Sequence, residues 1–346
     1  METSPALLNG TGRIELVYEL KPKIYVSRAL PDAGMKLLYE NFDVKVHRGQ
    51  DPPSREELLG ETGDVQGALV MLTEKIDREF IENARSLKVV SCFSVGVDHV
   101  DLDSCTEKGI MVTHTPDVLT DATADLAFAL ILAASRRIAE GDRYMRSKKW
   151  KQKWTPNLLL GYDLHGATLG IVGFGRIGQA LARRAAGFGM KVVYYDHKDS
   201  NIEAARTLDC SYLKLDELLR TSDVVSVHLP LTVETRHIFD DRAFSLMKKS
   251  AVFVNTSRGS VVDQKALVDA LKTNKIFAAG LDVFEKEPLD EDDPLLQLEN
   301  VVFVPHLGSA TVQTRSAMAE LAARNLVDAL SGRVPKAVAN RDVLSK

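Results

Sequence analysis

The segment Gly170-Ile171-Val172-Gly173-Phe174-Gly175-Arg176-Ile177-Gly178 sets its glycines where an apolar strand turns into a helix. Gly173 can make the tight turn, Gly175 lets backbone approach a pyrophosphate, and Gly178 allows close helix packing, while the helix N-terminus supplies amides and a positive dipole. The next strand-like run ends at Asp196, 18 residues beyond Gly178. A carboxylate there can accept hydrogen bonds from both hydroxyls of an adenosine ribose and repels a 2′-phosphate. The expected ligand is therefore NAD(H) in preference to NADP(H). His197 and Lys198 beside it soften that preference and leave NADPH possible.

Three further segments carry reactive side chains at strand ends of the same series: Asn255-Thr256-Ser257-Arg258-Gly259, Gly280 to Pro288 with Asp282 and Glu287, and Val304-Pro305-His306-Leu307-Gly308-Ser309. Alone, each has an ordinary reading. Arg258 could be a salt-bridge partner, Glu287 a solvated carboxylate, His306 a satisfied core histidine. That a permanent cation, a carboxylate and an imidazole appear together beside a dinucleotide site shifts the odds toward a reactive site.

The elements that must hold them alternate between strand and helix. From Lys23, short β-like runs (Lys23 to Ser27, Asp43 to His47, Gly67 to Leu72, Leu87 to Phe93, Gly109 to Thr113) trade places with segments such as the amphipathic Asp32 to Asn41, as in parallel α/β layers. A polar Pro52-Pro53 loop lies among them. Asp121 to about Arg146 reads as one helix with Asp121 as N-cap. A second series follows: strand Thr168 to Gly173, helix Ile177 to Phe188, strands Lys191 to Tyr195 and Val224 to Leu229, helix Asp241 to Lys248, strand Ala251 to Asn255, helix Gln264 to Leu271, and strands Ala278 to Val283 and Val301 to Val304. A last helix, Thr311 to Leu330, could return to the first series. The nucleotide domain then reads as an insertion, with ligands expected in the cleft between domains.

Composition bounds the alternatives. The chain has 346 residues, enough for about two domains, and 45% apolar with 27% charged residues is ordinary globular composition that argues against disorder. With 44 Lys+Arg against 48 Asp+Glu, the formal charge of -4 gives no field for nucleic acid or an anionic membrane. Cys92, Cys105 and Cys210 stand in no metal or redox spacing, so no metal site is expected and the thiols are read as reduced. The apolar run Leu126 to Ala134 is about half of what a membrane crossing needs. A cytoplasmic protein without a membrane or nucleic-acid partner is the default reading. The segment Lys148 to Pro156 holds both tryptophans, Trp150 and Trp154, and has two even readings: a solvated loop covering apolar surface, or a substrate-facing or inter-subunit element.

These motifs, with Ser94-Val95-Gly96-Val97-Asp98, Val227-His228-Leu229-Pro230-Leu231-Thr232 and Asp282-Val283-Phe284, resemble the D-isomer-specific 2-hydroxyacid dehydrogenases from about Lys21 to Val338. The stretches Thr115 to Asp121 and Gly308-Ser309-Ala310-Thr311 look most like the glyoxylate/hydroxypyruvate reductase branch. The resemblance implies an α/β fold of two doubly wound parallel-sheet domains: a Rossmann NAD-binding domain (118–307) inserted into a flavodoxin-like substrate domain (22–117 and 308–346), after an N-terminal extension (1–21). It also implies that Arg258 clamps substrate, that Glu287 partners the histidine, and that His306 is the acid/base. Val95 and Gly96 would bind the substrate carboxylate through backbone amides. Cofactor contacts would fall on Gly173, Gly175, Arg176, Ile177, Gly178, Asp196, Pro230, Thr256, Asp282 and Gly308, with Asp282 near the nicotinamide carboxamide.

The expected activity is NADH-dependent reduction of small 2-oxo acids, glyoxylate to glycolate and hydroxypyruvate to D-glycerate, by a homodimer in which Trp150 or Trp154 lines the neighbour's pocket. Two alternatives remain: another member such as a phosphoglycerate dehydrogenase, or a non-enzymatic NAD-sensing scaffold like the corepressors that share this architecture.

Overall fold

The computed structural model describes residues 21–49, 51–197 and 201–345. The expected N-terminal extension and Lys198 therefore lie outside the described residues, apart from Lys21. The chain divides into two compact units, residues 1–114 with 319–346 and residues 115–318.

The first unit runs β1 (Lys23–Val26), α1 (Asp32–Asn41), β2 (Asp43–Val46), α2 (Arg55–Thr62), β3 (Gly67–Val70), α3 (Arg78–Asn83), β4 (Val89–Cys92), α4 (Leu102–Glu107) and β5 (Met111–Thr113). Its five strands are parallel in the order β2-β1-β3-β4-β5, the flavodoxin-like arrangement. Strands β3 and β4 are buried at every position, as central strands covered on both faces must be.

Helices α2, α3 and α4 were not anticipated. They are short and mostly polar, so they show little apolar periodicity. Each nevertheless carries a cap that satisfies an otherwise unpaired amide: Ser54 accepts from the Glu57 amide, Asp77 from Phe80 and Asp101 from Ser104.

The second unit runs α5 (Thr120–Ser135), α6 (Ile138–Arg146), β6 (Thr168–Val172), α7 (Arg176–Gly187), β7 (Lys191–Tyr195), α8 (Ile202–Thr207), β8 (Cys210–Tyr212), α9 (Leu215–Thr221), β9 (Val224–Val227), α10 (Asp241–Leu246), β10 (Val252–Asn255), α11 (Gln264–Lys272), β11 (Ala278–Leu281) and β12 (Val301–Phe303). The last helix, α12 (Val312–Leu330), begins in this unit and ends in the first. Seven parallel strands lie in the order β12-β11-β10-β9-β6-β7-β8. The chain winds from β6 toward β8, then returns to β9 on the other side, so the switch point falls between β6 and β9. Open sheets of this type take ligands outside the carboxyl ends of such strands.

Two expectations about the helical arm are corrected. It is two helices rather than one, because Arg137 adopts a left-handed backbone (φ 53°) and breaks the hydrogen-bond ladder. The N-cap is Leu119, not Asp121; Asp121 sits in the first turn, where its carboxylate accepts from Arg184. Strand β8 and helices α8 and α9 were also missed, being three to seven residues long.

The seven-stranded sheet has an apolar core on each face. One is built on Phe239, Phe244 and Phe253, the other on Leu169, Ile171, Phe174, Leu181 and the buried side of α5. Burying each such side chain stabilises by about 1.5–3 kcal/mol. The rigid result is a sheet whose carboxyl-end loops all leave from one edge.

Candidate active site

The glycine turn is built as its residue types require. Gly173 has φ +95°, and a Cβ there would lie 2.7 Å from the His228 carbonyl, so only glycine fits between β6 and β9. A Cβ on Gly178 would meet the Gly173 oxygen at 2.4 Å, whereas a Cβ on Gly175 would meet nothing within 4 Å. Two glycines thus serve the protein's own packing, and the third leaves open space over the start of α7. Arg176 and Ile177 form the first turn of that helix, and the Arg176 guanidinium pairs with Asp117 at 2.7 Å on the surface.

Asp196 directly follows β7, and its Oδ2 accepts the Phe174 amide at 3.0 Å. This bond ties the carboxylate to the glycine turn. Pro230 follows β9 and Thr256 follows β10 on the same edge. The Thr256 hydroxyl is buried without a hydrogen-bond partner among the described residues. A turn with unfilled space over a helix N-terminus, a carboxylate beside it and an orphaned hydroxyl two strands away suit the pyrophosphate, ribose and polar groups of a dinucleotide.

Arg258, Glu287 and His306 converge. His306 Nδ1 and Glu287 Oε2 are 2.8 Å apart, and the other carboxylate oxygen accepts the Phe284 amide at 3.0 Å. Burial pushes the Glu287 carboxyl up, but the His306 and Phe284 hydrogen bonds and the charges of His306 and Arg258 outweigh it, and it lies below its ordinary value. The Arg258 guanidinium is therefore near enough to act on the same carboxylate. Its loop is shaped by Asn255, buried to 1%, which donates to the Arg258 carbonyl and accepts from the Ser257 amide. A Cβ on Gly259 would sit 1.8 Å from the Phe284 backbone. Glycine here lets the loop after β10 lie directly on the loop after β11, which is how Arg258 and Glu287 meet.

The His306 loop hangs on Asp282. That carboxylate is 1% exposed and accepts the Leu307 amide at 2.5 Å and the Gly308 amide at 2.8 Å. Burial raises its pKa, against the pull of those amides and of His306. His306 itself is left-handed, with φ 53°. Outside glycine such a backbone is uncommon, and it clusters at sites where neighbours over-determine it. With Nδ1 on Glu287, Nε2 is the ring nitrogen left to meet another molecule.

Val95 and Gly96 belong to the first unit, in the turn after β4. Ser94 Oγ donates to the Gly96 carbonyl at 2.7 Å, and the His114 ring bonds the Val95 carbonyl at 2.8 Å. Both carbonyls of the turn are thus engaged.

The sequence reading missed Thr123 and Arg315, which touch the turn at residues 306–309, because a threonine inside a helix and an arginine in a first helical turn carry no local signal. It also missed the bracing role of Asp282. No group of three or more metal-ligating side chains occurs among the described residues, and no helix among them is long and apolar enough to cross a membrane.

Residues 128–308 match the model of the D-isomer-specific 2-hydroxyacid dehydrogenase NAD-binding domain. A glyoxylate reductase of Korarchaeum cryptofilum is 48% identical over 326 residues, covering 94% of this chain and 98% of that one. A solved Thermus thermophilus protein superposes with a TM-score of 0.86 at 47% identity, over 92% of this chain and 99% of that one. A solved glyoxylate reductase of Paecilomyes thermophila gives a TM-score of 0.82 at 34% identity, over 92% and 98%. Identity at this level across nearly the whole of both chains, on the same two parallel sheets, makes this protein a member of the D-isomer-specific 2-hydroxyacid dehydrogenases, NAD-binding oxidoreductases of 2-oxo and 2-hydroxy acids.

Proposed function

We propose that this protein is an NADH-dependent reductase of small 2-oxo acids, glyoxylate and hydroxypyruvate foremost, with His306 as proton donor. The observation that carries the reading is the 2.8 Å His306–Glu287 pair with Arg258 acting on the same carboxylate. The names of the relatives point the same way.

When bound, reduced nicotinamide supplies a hydride to the carbonyl carbon. Everything else falls to this chain's residues. The Arg258 guanidinium holds the oxo acid and polarises its carbonyl. As hydride arrives, negative charge builds on the carbonyl oxygen, and His306 delivers its Nε2 proton there. Glu287 keeps the ring oriented through Nδ1 and stabilises the positive charge that precedes transfer. The amides of Val95 and Gly96 take the substrate carboxylate.

The cofactor contacts are assigned to Gly173, Gly175, Arg176, Ile177, Gly178, Asp196, Pro230, Thr256, Asp282 and Gly308. Asp196 favours NADH, with NADPH a weaker alternative. The acting form is a homodimer joined through the arm after α5, and a cytosolic setting agrees with three cysteines that form no disulfide.

The test is NADH oxidation on adding glyoxylate or hydroxypyruvate, alongside Arg258→Ala and His306→Ala. Turnover that both variants lose by about 100-fold or more supports the reading. Tight NADH binding with no turnover of any 2-oxo acid would instead identify a nucleotide-sensing scaffold, and preference for a phosphorylated hydroxy acid would identify another branch of the family.

A further inference from the structure

The turn that carries His306 is fixed by more than its own sequence. Arg315, in the first turns of α12, donates from Nε to the Ser309 carbonyl at 3.3 Å. The Asp282 carboxylate, which holds the Leu307 and Gly308 amides, acts electrostatically on the same guanidinium. From the other side, Thr123 Oγ1 on α5, a residue 5% exposed, donates to the Gly308 carbonyl at 3.1 Å. The His306 amide donates to the Asp282 carbonyl at 2.9 Å. Four groups from three separate elements thus converge on residues 306–309.

This convergence answers a physical need. A left-handed histidine is strained, so an unbraced turn would relax toward ordinary backbone and swing the ring off Glu287. Burying Arg315 is costly in its own right, and burial lowers its pKa against the opposing pull of Asp282. A half-buried cation that takes no part in proton or hydride transfer is retained here beside the acid/base loop.

We propose that Arg315, acting through Asp282 and the Ser309 carbonyl and seconded by Thr123, is a positioning residue that holds the 306–309 turn so that His306 keeps Nδ1 on Glu287 and presents Nε2 to the reacting oxygen. The inference rests on the acid/base assignment of His306 made above. The charged groups around the imidazole in this arrangement are Glu287 and Asp282, with Arg258 beyond Glu287 and Arg315 beyond Asp282.

The experiment compares Arg315→Met, Arg315→Lys and Thr123→Val with the parent protein. The readouts are melting temperature, NADH affinity by fluorescence, kcat and KM for glyoxylate, and the His306 Nδ1 hydrogen bond to Glu287 by ring-nitrogen NMR. A misplacement near 1 Å costs about 100-fold in rate. The expected result is a 10- to 100-fold fall in kcat for Arg315→Met, about 3- to 10-fold for Thr123→Val and partial recovery for Arg315→Lys. KM and NADH affinity should change by less than about threefold, and the His306 Nδ1–Glu287 hydrogen-bond signal should weaken in step with kcat.

The proposal is overturned if the His306 Nδ1 hydrogen-bond signal and kcat match the parent in the variants, or if the whole loss lies in KM, NADH affinity or melting temperature. Should Arg315→Met fail to fold, Thr123→Val decides, because losing one hydroxyl leaves the helix intact. If the parent turns over no 2-oxo acid, the enzymatic reading fails by itself, while the His306 Nδ1 hydrogen-bond signal still decides whether Arg315 and Thr123 position the ring.

Discussion

At the scale of single residues the site is a set of charge relations that can be removed one at a time. Glu287 lies below its ordinary carboxylate value, so its sign is that of a depressed acid. It is ionised throughout the neutral range, and its support of His306 is lost only as pH falls through that lowered value. Glu287→Gln keeps the shape but removes the charge that favours the imidazolium. Its kcat for glyoxylate reduction should fall by about 10- to 100-fold at unchanged NADH affinity; a kcat equal to the parent's would refute the pairing.

The glycines separate packing from binding. Gly175→Ala meets no neighbour, so melting temperature should hold within a few degrees while NADH affinity drops. Gly178→Ala, forced against the Gly173 oxygen, should lose stability by about 1–3 kcal/mol. Equal loss of stability in both would remove the argument that Gly175 is kept open for a ligand.

At the scale of elements, the parallel strands decide which loops meet. Strand β9 delivers His228, whose Nε2 lies 2.9 Å from Ser226 Oγ and whose Nδ1 is buried without a partner among the described residues. Burial pushes its pKa from 6.5 down to about 4. The unfolded chain thus takes up a proton that the fold resists, so this residue's stabilising contribution is whole above pH 6.5 and is lost as pH falls toward 4. The residue is only partly buried, which keeps the contribution to about 1–3 kcal/mol. Urea unfolding of His228→Gln should show a shallower loss of stability between about pH 6.5 and 4.5 than the parent; matching slopes would place the acid sensitivity elsewhere.

Element boundaries were legible where periodicity was strong. Asp32–Asn41 and Lys191–Tyr195 stand where the sequence puts them. The arm was misread because nothing local to Arg136-Arg137 announces a left-handed break, whereas the tertiary setting supplies one: the Ser135 carbonyl accepts the Tyr162 amide at 3.0 Å.

At the scale of the whole molecule, the arm leaves apolar side chains in solvent. Ile138 is 57% exposed, Met145 54%, Trp150 51% and Trp154 82%, more large apolar surface than a free chain usually shows in one stretch. The proposed homodimer would cover it. Sedimentation should give twice the monomer mass, and Trp154→Ala should weaken association, alter substrate preference, or do both. A monomer with unchanged preference after that substitution would eliminate the inter-subunit role.

Local sequence determined the alternation of strand and helix, the glycine turn and the acidic residue ending the next strand, because each depends on spacing within one βαβ unit. It also supplied Arg258, Glu287 and His306 as candidates through ordered motifs. Their meeting was decided only by the tertiary structure: neighbouring parallel strands β10, β11 and β12 bring their carboxyl ends to one edge, and Gly259 lets two loops touch. Arg315 and Thr123 stayed hidden for the same reason. Their partners are distant in the chain, Thr123 and Gly308 by 185 positions, and contacts of that separation exist only once the sheet has formed and carried α5 and α12 to the same turn.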